Sequence, residues 1–273
     1  FILGGRLSTF KYNEDYRYNA DAGQADTHAG YKEHGVVTPY AGVVYDLNDT
    51  YSVYASYTNI YQPQINKDAS GKTLDPVEGD SYETGLKAAY LDGRLNASLA
   101  LFRIEQDNVA QYVITDTNTG QDIYKPTSGA TTKGVELELA GELAEGWNVS
   151  AGYTYARTRA DDGERVYGYP LETTKPENVA RLFTTYRLPG VLNKVTVGGG
   201  VNWQSGIHMT VDNWQLTTPA KVKQGDYATA NLMARYQLSS QWSATATINN
   251  LFDKKYISSL DENFYSGSYG DPR

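Results

Sequence analysis

The sequence predicts an all-β chain, with antiparallel strands in up-and-down order forming the wall of a transmembrane β-barrel. Three observations carry this. Apolar and polar residues alternate with a period of two through most segments, as strands with one apolar and one wet face require. The connections between those segments are alternately short and long. Aromatic residues gather beside the short connections.

The pattern is clearest near the end of the chain. Residues 226–238 read DYATANLMARYQL and residues 242–252 read WSATATINNLF. In the second segment Trp242, Ala244, Ala246 and Ile248 alternate with Ser243, Thr245, Thr247 and Asn249. The apolar sides of the two segments are small and smooth, while their polar sides carry Arg235 and several amides. Joined by Ser239-Ser240-Gln241, the two make an antiparallel hairpin written for lipid on one side and water on the other.

Eleven such strands are expected, at 2–12, 36–47, 51–62, 81–91, 94–106, 133–143, 147–157, 178–188, 194–204, 226–238 and 242–252. Each has about the ~9–11 residues a tilted strand needs to cross a bilayer, or slightly more. The short connections are 48–50, 92–93, 144–146, 189–193 and 239–241; the long ones are 13–35, 63–80, 107–132, 158–177 and 205–225. Asp92-Gly93 is a strong two-residue hairpin signal, because both central positions of that turn need positive φ. A soluble sandwich has no reason to sort its loops by side, whereas a membrane barrel does.

The aromatic residues follow the same geometry. Tyr45, Tyr90, Trp147, Tyr186, Tyr236 and Trp242 stand next to short turns and should form one outward-facing band. Glu83, Lys87, Glu136, Glu138, Arg181, Arg187 and Arg235 fall on the opposite parity and should line a wet lumen. On the lipid face each would cost ~2–4 kcal/mol near the midplane.

Composition supports this reading and narrows the function. The 273 residues contain no cysteine, which excludes a disulfide scaffold and thiolate metal sites. A formal charge of −8 argues against nucleic acid as a partner. The chain has 24 tyrosines against 6 phenylalanines, a choice that suits rings with one wet end. His28, His34 and His208 lack metal-ligand spacing, no nucleophile–base motif occurs, and an enzyme is not expected. Gly198-Gly199-Gly200 reads as a bend or close backbone approach within a strand. The long loops carry Tyr112, Tyr124, Tyr167, Tyr169, Trp214, Phe264 and Tyr265 among small polar residues. Rigid rings on loops can contact a flat or oily ligand, or can simply pack the loops together.

Several stretches carry a resemblance to a known family. They are TPYAGVVYDL (38–47), YSVYASYTNIYQPQ (51–64), the run from LDPVEG to IEQDN (74–108), TKGVELELAGELAEGWNVSAGYTY (132–155), NLFDKKY (250–256) and YGDPR (269–273). Together they resemble the C-terminal half of the barrel of TonB-dependent ferric-siderophore receptors, nearest the hydroxamate (coprogen) or pyoverdine branch. The resemblance implies a roughly 22-stranded barrel with a plugged lumen. It also implies that the plug, the segment engaging TonB and the last strand lie outside residues 1–273. The implied function is active transport across the outer membrane of a Gram-negative bacterium, energised through TonB. Iron would arrive as a siderophore chelate, so no cofactor is expected. The implied partners are the ferric siderophore, the TonB complex, and outer-membrane lipid and lipopolysaccharide. A TonB-dependent receptor for haem, cobalamin or a glycan, or a passive porin, remains the alternative.

The family's ligand contacts follow no fixed motif, so candidates come from position alone. Trp203, just before the loop 205–225, and Trp214 within it are the ring candidates. Asn202 and Gln204 lie on the opposite parity to Trp203 and should face the lumen, leaving Trp203 an outer-girdle position unless the strand bulges. Tyr61, Gln62 and Tyr265 complete the set from neighbouring loops.

Overall fold

The structure is a computed structural model that describes residues 1–16, 27–117, 120–126, 129–160, 174–211, 218, 220–261 and 266–273. Its strands are β1 (Ile2–Tyr16), β2 (Thr27–Asp46), β3 (Tyr51–Gln62), β4 (Val77–Tyr90), β5 (Leu95–Asp107), β6 (Ala110–Thr115), β7 (Asp122–Pro126), β8 (Ala130–Ala144) and β9 (Trp147–Ala160). They continue with β10 (Asn178–Arg187), β11 (Val195–Gln204), β12 (Ile207–Val211), β13 (Ala220–Gln224), β14 (Tyr227–Gln237), β15 (Ser243–Ile248), β16 (Ile257–Asp261) and β17 (Ser266–Tyr269). Eleven of these form one antiparallel sheet in the order β1-β2-β3-β4-β5-β8-β9-β10-β11-β14-β15. This is the expected up-and-down wall, with β1 and β15 as its edges.

Register assigns every residue a side. One row across the wall reads Val53, Leu86, Leu99, Leu137, Tyr153, Ala180, Trp203, Ala228. The row beside it reads Ser52, Lys87, Ser98, Glu138, Gly152, Arg181, Asn202, Thr229. The first face is apolar and the second holds the charges, so the first meets lipid and the second lines the lumen. Leu101, Leu137, Leu232 and Ile248 are accordingly about half exposed on the lipid face. The wall is one layer thick, so its apolar side chains pack against lipid rather than against a second layer. Among the described residues the one buried apolar cluster, Ile207, Met209 and Leu260, lies off the wall in the loop hairpins.

Aromatic residues form two bands on the lipid face. Tyr45, Tyr90, Trp147, Tyr186 and Tyr236 share its parity beside the short turns. Tyr82, Tyr155 and Trp203 share it too, each eight positions from Tyr90, Trp147 and Val195 respectively. At ~3.3 Å per residue and ~40° tilt, the two bands are roughly 20 Å apart in height, close to the ~25 Å apolar belt of such barrels.

The structure corrects several boundaries. The expected loop 13–35 is largely strand, because β1 runs to Tyr16 and β2 starts at Thr27. A polar ladder above the lipid still satisfies its backbone, and a register shift beside Ser8, with Gly35 at φ 73°, lets the strands twist outward. The expected strand 242–252 ends at Ile248, since Asn250 turns the chain at φ 46°. The loops 107–132 and 205–225 carry the hairpins β6–β7 and β12–β13, and a third hairpin, β16–β17, follows β15. The short turn 189–193 contains a single 3-10 turn, Gly190–Leu192.

Candidate ligand-binding face

The lumenal face is built from residues that alternate with the lipid-facing ones. Tyr54 on β3 donates its hydroxyl to Glu83 Oε1 on β4 at 2.6 Å, and Lys87 Nζ stands 4.8 Å from the centre of the Tyr54 ring. The ring lies flat across Gly85, where a methyl group would meet it at 2.6 Å. Gly200 repeats the device on β11: a methyl there would sit 2.9 Å from both Phe183 and Asn231 Oδ1. Close approach is thus the reason for that glycine run. Glu136 and Glu138 share this face on β8, with Arg181 on β10 and Arg235 on β14. Arg181 is exposed between Gly152 and Asn202 and has no ion-pair partner among the described residues.

At the long-loop end of β11 and β14 the face is carried by amides and hydroxyls. Asn202 pairs with Arg181 and Thr229, and Gln204 pairs with Val179 and Tyr227. Both amides face the lumen, as expected. Trp203 faces lipid in the upper aromatic band. No bulge intervenes, since the pairing of β11 with both neighbours is unbroken through Gln204. Gln62 has lumenal parity, paired with Val77. Tyr61 has lipid-face parity, and its ring stacks on Phe10 with centroids 5.4 Å apart. Six strand steps separate β3 from β11, roughly 29 Å along the sheet at ~4.8 Å each. Asn202 and Gln204 therefore sit together, while Tyr61 and Gln62 belong to a distant part of the rim. Trp214 and Tyr265, with Tyr167, Tyr169 and Phe264, lie outside the described residues.

Two side chains join the amides that the sequence pattern does not single out. Tyr227, paired with Gln204 on lumenal parity, stacks on Tyr256 at 4.2 Å. Its alternation with Thr229 and Asn231 is the signal that marks it as lumenal. Tyr112 and Tyr124, by contrast, pack edge to face at 5.7 Å within β6–β7, so these loop rings hold their own hairpin.

The loop hairpins stand on this rim. Met209 pairs with Val222 across β12 and β13, and Ile207, Met209 and Leu260 bury one another with Val222 and Ile257 alongside. On the other side of β12, His208 faces Lys223. Burial first, and then the charge of Lys221, push the His208 imidazole below its ordinary 6.5. Asn250 closes the end of the chain: its amide donates to the carbonyls of Lys254 and Asp271, both at 2.9 Å, and its Oδ1 accepts from Lys254 N–H at 2.8 Å. NLFDKKY and YGDPR are thus two halves of one clasp. The arrangement offers amides, hydroxyls, rings and a free guanidinium to a polar ligand in the lumen. No group of three or more His, Asp or Glu side chains gathers as a metal site among the described residues.

Comparison with known proteins matches this architecture. Residues 1–251 match the family model described as TonB dependent receptor-like, beta-barrel. The chain is 44% identical over 274 residues to a ferric-pyoverdine BN7/BN8 receptor of Pseudomonas putida, covering 100% of this chain and 31% of the relative. It is 47% identical over 249 residues to the ferripyoverdine receptor of Pseudomonas aeruginosa, covering 89% of this chain and 30% of that protein. The chain thus spans about a third of the length of these relatives. The crystal structure of the Pseudomonas aeruginosa outer-membrane ferripyoverdine receptor bound to ferripyoverdine superposes with a TM-score of 0.82 at 42% identity, over 99% of this chain and 34% of that one. The alcaligin outer-membrane receptor of Bordetella pertussis superposes with a TM-score of 0.67 at 40% identity, over 91% of this chain and 39% of that one. With the eleven-stranded wall, its two faces and its loop asymmetry, the match over residues 1–251 places this chain in the TonB-dependent receptor β-barrel family.

Proposed function

We propose that this wall belongs to an outer-membrane receptor that takes up ferric siderophores of the pyoverdine class, energised through TonB. The observation that carries the reading is that similarity to two ferric-pyoverdine receptors of Pseudomonas putida, 44% identical each, runs the whole length of the chain. The lumenal chemistry agrees with it. Asn202, Gln204 and Thr229 can hydrogen-bond peptide-like carbonyls, Tyr227 and Tyr256 offer ring faces, and Arg181 can meet an acidic group. Iron enters already chelated, so the wall needs no metal ligands of its own. The chelate is held by shape, rings and hydrogen bonds, and the pull of TonB on the rest of the receptor releases it inward.

The test uses the full-length receptor and fluorescence quenching with ferric pyoverdines, ferric coprogen, haem and cobalamin. Saturable binding of a ferric pyoverdine, with haem and cobalamin inert, is the expected result. Binding of haem or cobalamin alone would overturn it. Trp214→Ala and Gln204→Ala are then expected to weaken the preferred chelate about fivefold each, the value of one ring or hydrogen bond at ~1 kcal/mol. Unchanged affinity for every ferric siderophore would remove that residue from the site.

A further inference from the structure

Charge is sorted by strand on the lumenal face. On β3, β4, β5, β8 and β9 that face carries Glu83, Glu136, Glu138 and Glu142 against one cation, Lys87. On β10, β11, β14 and β15 it carries Arg181, Arg187 and Arg235 and no acid. These four strands therefore form a stripe that runs from the amide rim to the short turns. Its remaining lumenal residues are amides, hydroxyls, glycines and a few apolar side chains.

The cations stand on the stripe at two depths. Arg181 shares a register row with Asn202 and Thr229, next below the row of Gln204. Arg187 and Arg235 share a lower row, with Thr196 between them and Thr245 alongside. They are two strand steps apart, roughly 10 Å, so both guanidinium forks reach one anionic group. Six positions separate Arg181 from Arg187, which at ~3.3 Å rise and ~40° tilt is about 15 Å of depth. Between the two rows Thr185 and Phe183 crowd Gly198 and Gly200, where a methyl group would meet each at 2.9 Å. The middle of the stripe is thus neutral.

All three arginines are exposed and make no ion pair among the described residues. Glu142, which feels the charge of Arg187, is held instead by Arg94 at 3.2 Å and by the Gly146 N–H at 3.0 Å. Three guanidinium groups with no acid among them hold a positive potential along one side of the lumen. An anion entering the lumen is repelled by the carboxylates of β4 and β8 and drawn to this stripe.

We propose that β10, β11, β14 and β15 line the path by which an anionic ferric chelate descends through the lumen, passing from Arg181 to a second station at Arg187 and Arg235. The proposal rests on the siderophore reading and adds to it the charge of the cargo and the side of the barrel it follows. The rim selects by rings and amides, whereas the lower row has no lumenal ring and acts on charge. Two stations about 15 Å apart suit transport, in which each must bind well enough to be entered and weakly enough to be left.

The test measures radio-iron uptake and binding by the full-length receptor, in energised cells with no other receptor for the chelate. The probes are a ferric pyoverdine and the same chelate with its acidic groups amidated. The wild type is expected to take up the acidic form about tenfold faster at saturation, the worth of one charge-assisted hydrogen bond. The double variant Arg187→Gln, Arg235→Gln should take up both forms at the slower rate, with its affinity at the mouth unchanged. Arg187→Lys, Arg235→Lys should keep the preference, since the charges remain. Should the double variant not reach the outer membrane, Arg235→Gln alone is expected to cut the preference about threefold, half of that free energy. An unaltered preference in the variant, or equal uptake of the two forms by the wild type, would overturn the path. Weakened binding with unchanged saturated uptake would overturn it by assigning the arginines to the mouth. A leak of small dyes through the variant without cargo would overturn it by making them a clasp on another part of the receptor. A wild type that takes up no ferric siderophore would overturn the cargo reading and this path together.

Discussion

The ring of Tyr256 lies on that of Tyr227, with centroids 4.2 Å apart and planes inclined by 26°. Tyr227 opens β14 and Tyr256 directly precedes β16, so this stack ties the last hairpin to the rim of the wall. Gly270 passes beneath Tyr256 and donates its N–H to the Tyr256 carbonyl at 2.9 Å, in a space no side chain could share with the ring. Tyr256→Ala should therefore loosen the hairpin by about 1 kcal/mol beyond the lost area. Hydrogen exchange in 257–261 and 266–269 of the full-length receptor should speed up severalfold, while β10 and β11 stay protected. Unaltered exchange would mean that other contacts suffice, such as Ile257 N–H donating to Gln224 Oε1 at 2.9 Å.

Asn250 gives a sharper case. It is buried, holds φ at 46° and makes three side-chain hydrogen bonds that close 250–254 onto Asp271. Asn250→Ala leaves two carbonyls and one N–H unpaired and puts a residue that avoids the left-handed region in place of one that tolerates it, so about 2–3 kcal/mol of local stability should go. Asn250→Gly relieves the backbone but not the bonds and should fall between. Limited proteolysis at 250–256 reads the order, and equal resistance of all three proteins would show that the clasp is held by something else.

The wall and its two faces were legible in the sequence, because lipid on one side and water on the other force a period of two wherever a strand crosses. Val135 and Glu136, for example, could take only one pair of sides. The three outer hairpins were not legible. Their strands are short, their solvent is water on most sides, and their few apolar residues, such as Ile207, Met209 and Leu260, are too sparse to set a period. Asn250 read as a continuing strand residue, because its turn is fixed by partners four and twenty-one positions away. Within the candidate site, parity placed Asn202 and Gln204 in the lumen, whereas Tyr227 became a candidate only once its stack with Tyr256 was seen.

The faces themselves can be tested with adjacent residues on β8. Leu137 looks toward lipid and Glu138 toward the lumen. Leu137→Arg should cost ~2–4 kcal/mol in folding titrations of the full-length receptor into lipid vesicles. Glu138→Arg should cost less than 1 kcal/mol on the same scale, since water or lumenal side chains can meet the new charge. Equal costs would invert or abolish the assignment for the whole sheet, because register links every strand to this one.

His208 makes the hairpin β12–β13 sensitive to acid. Burial, with Lys221 as a lesser cause and Lys223 opposite, holds its imidazole neutral below the ordinary 6.5. The opened hairpin takes up a proton as the pH falls through 6.5 and the closed one does not, so over that range the open state binds more protons. Stability is then full above 6.5 and is lost as the pH drops toward the lowered value of the closed state. Amide protection of 207–211 and 220–224, corrected for intrinsic exchange, should decline between pH 7.5 and 5.5. His208→Gln keeps a polar side chain without the titration and should flatten that decline, while the wall strands β9 and β10 show no pH dependence in either protein. A decline of the same size in His208→Gln would assign the acid sensitivity to another group.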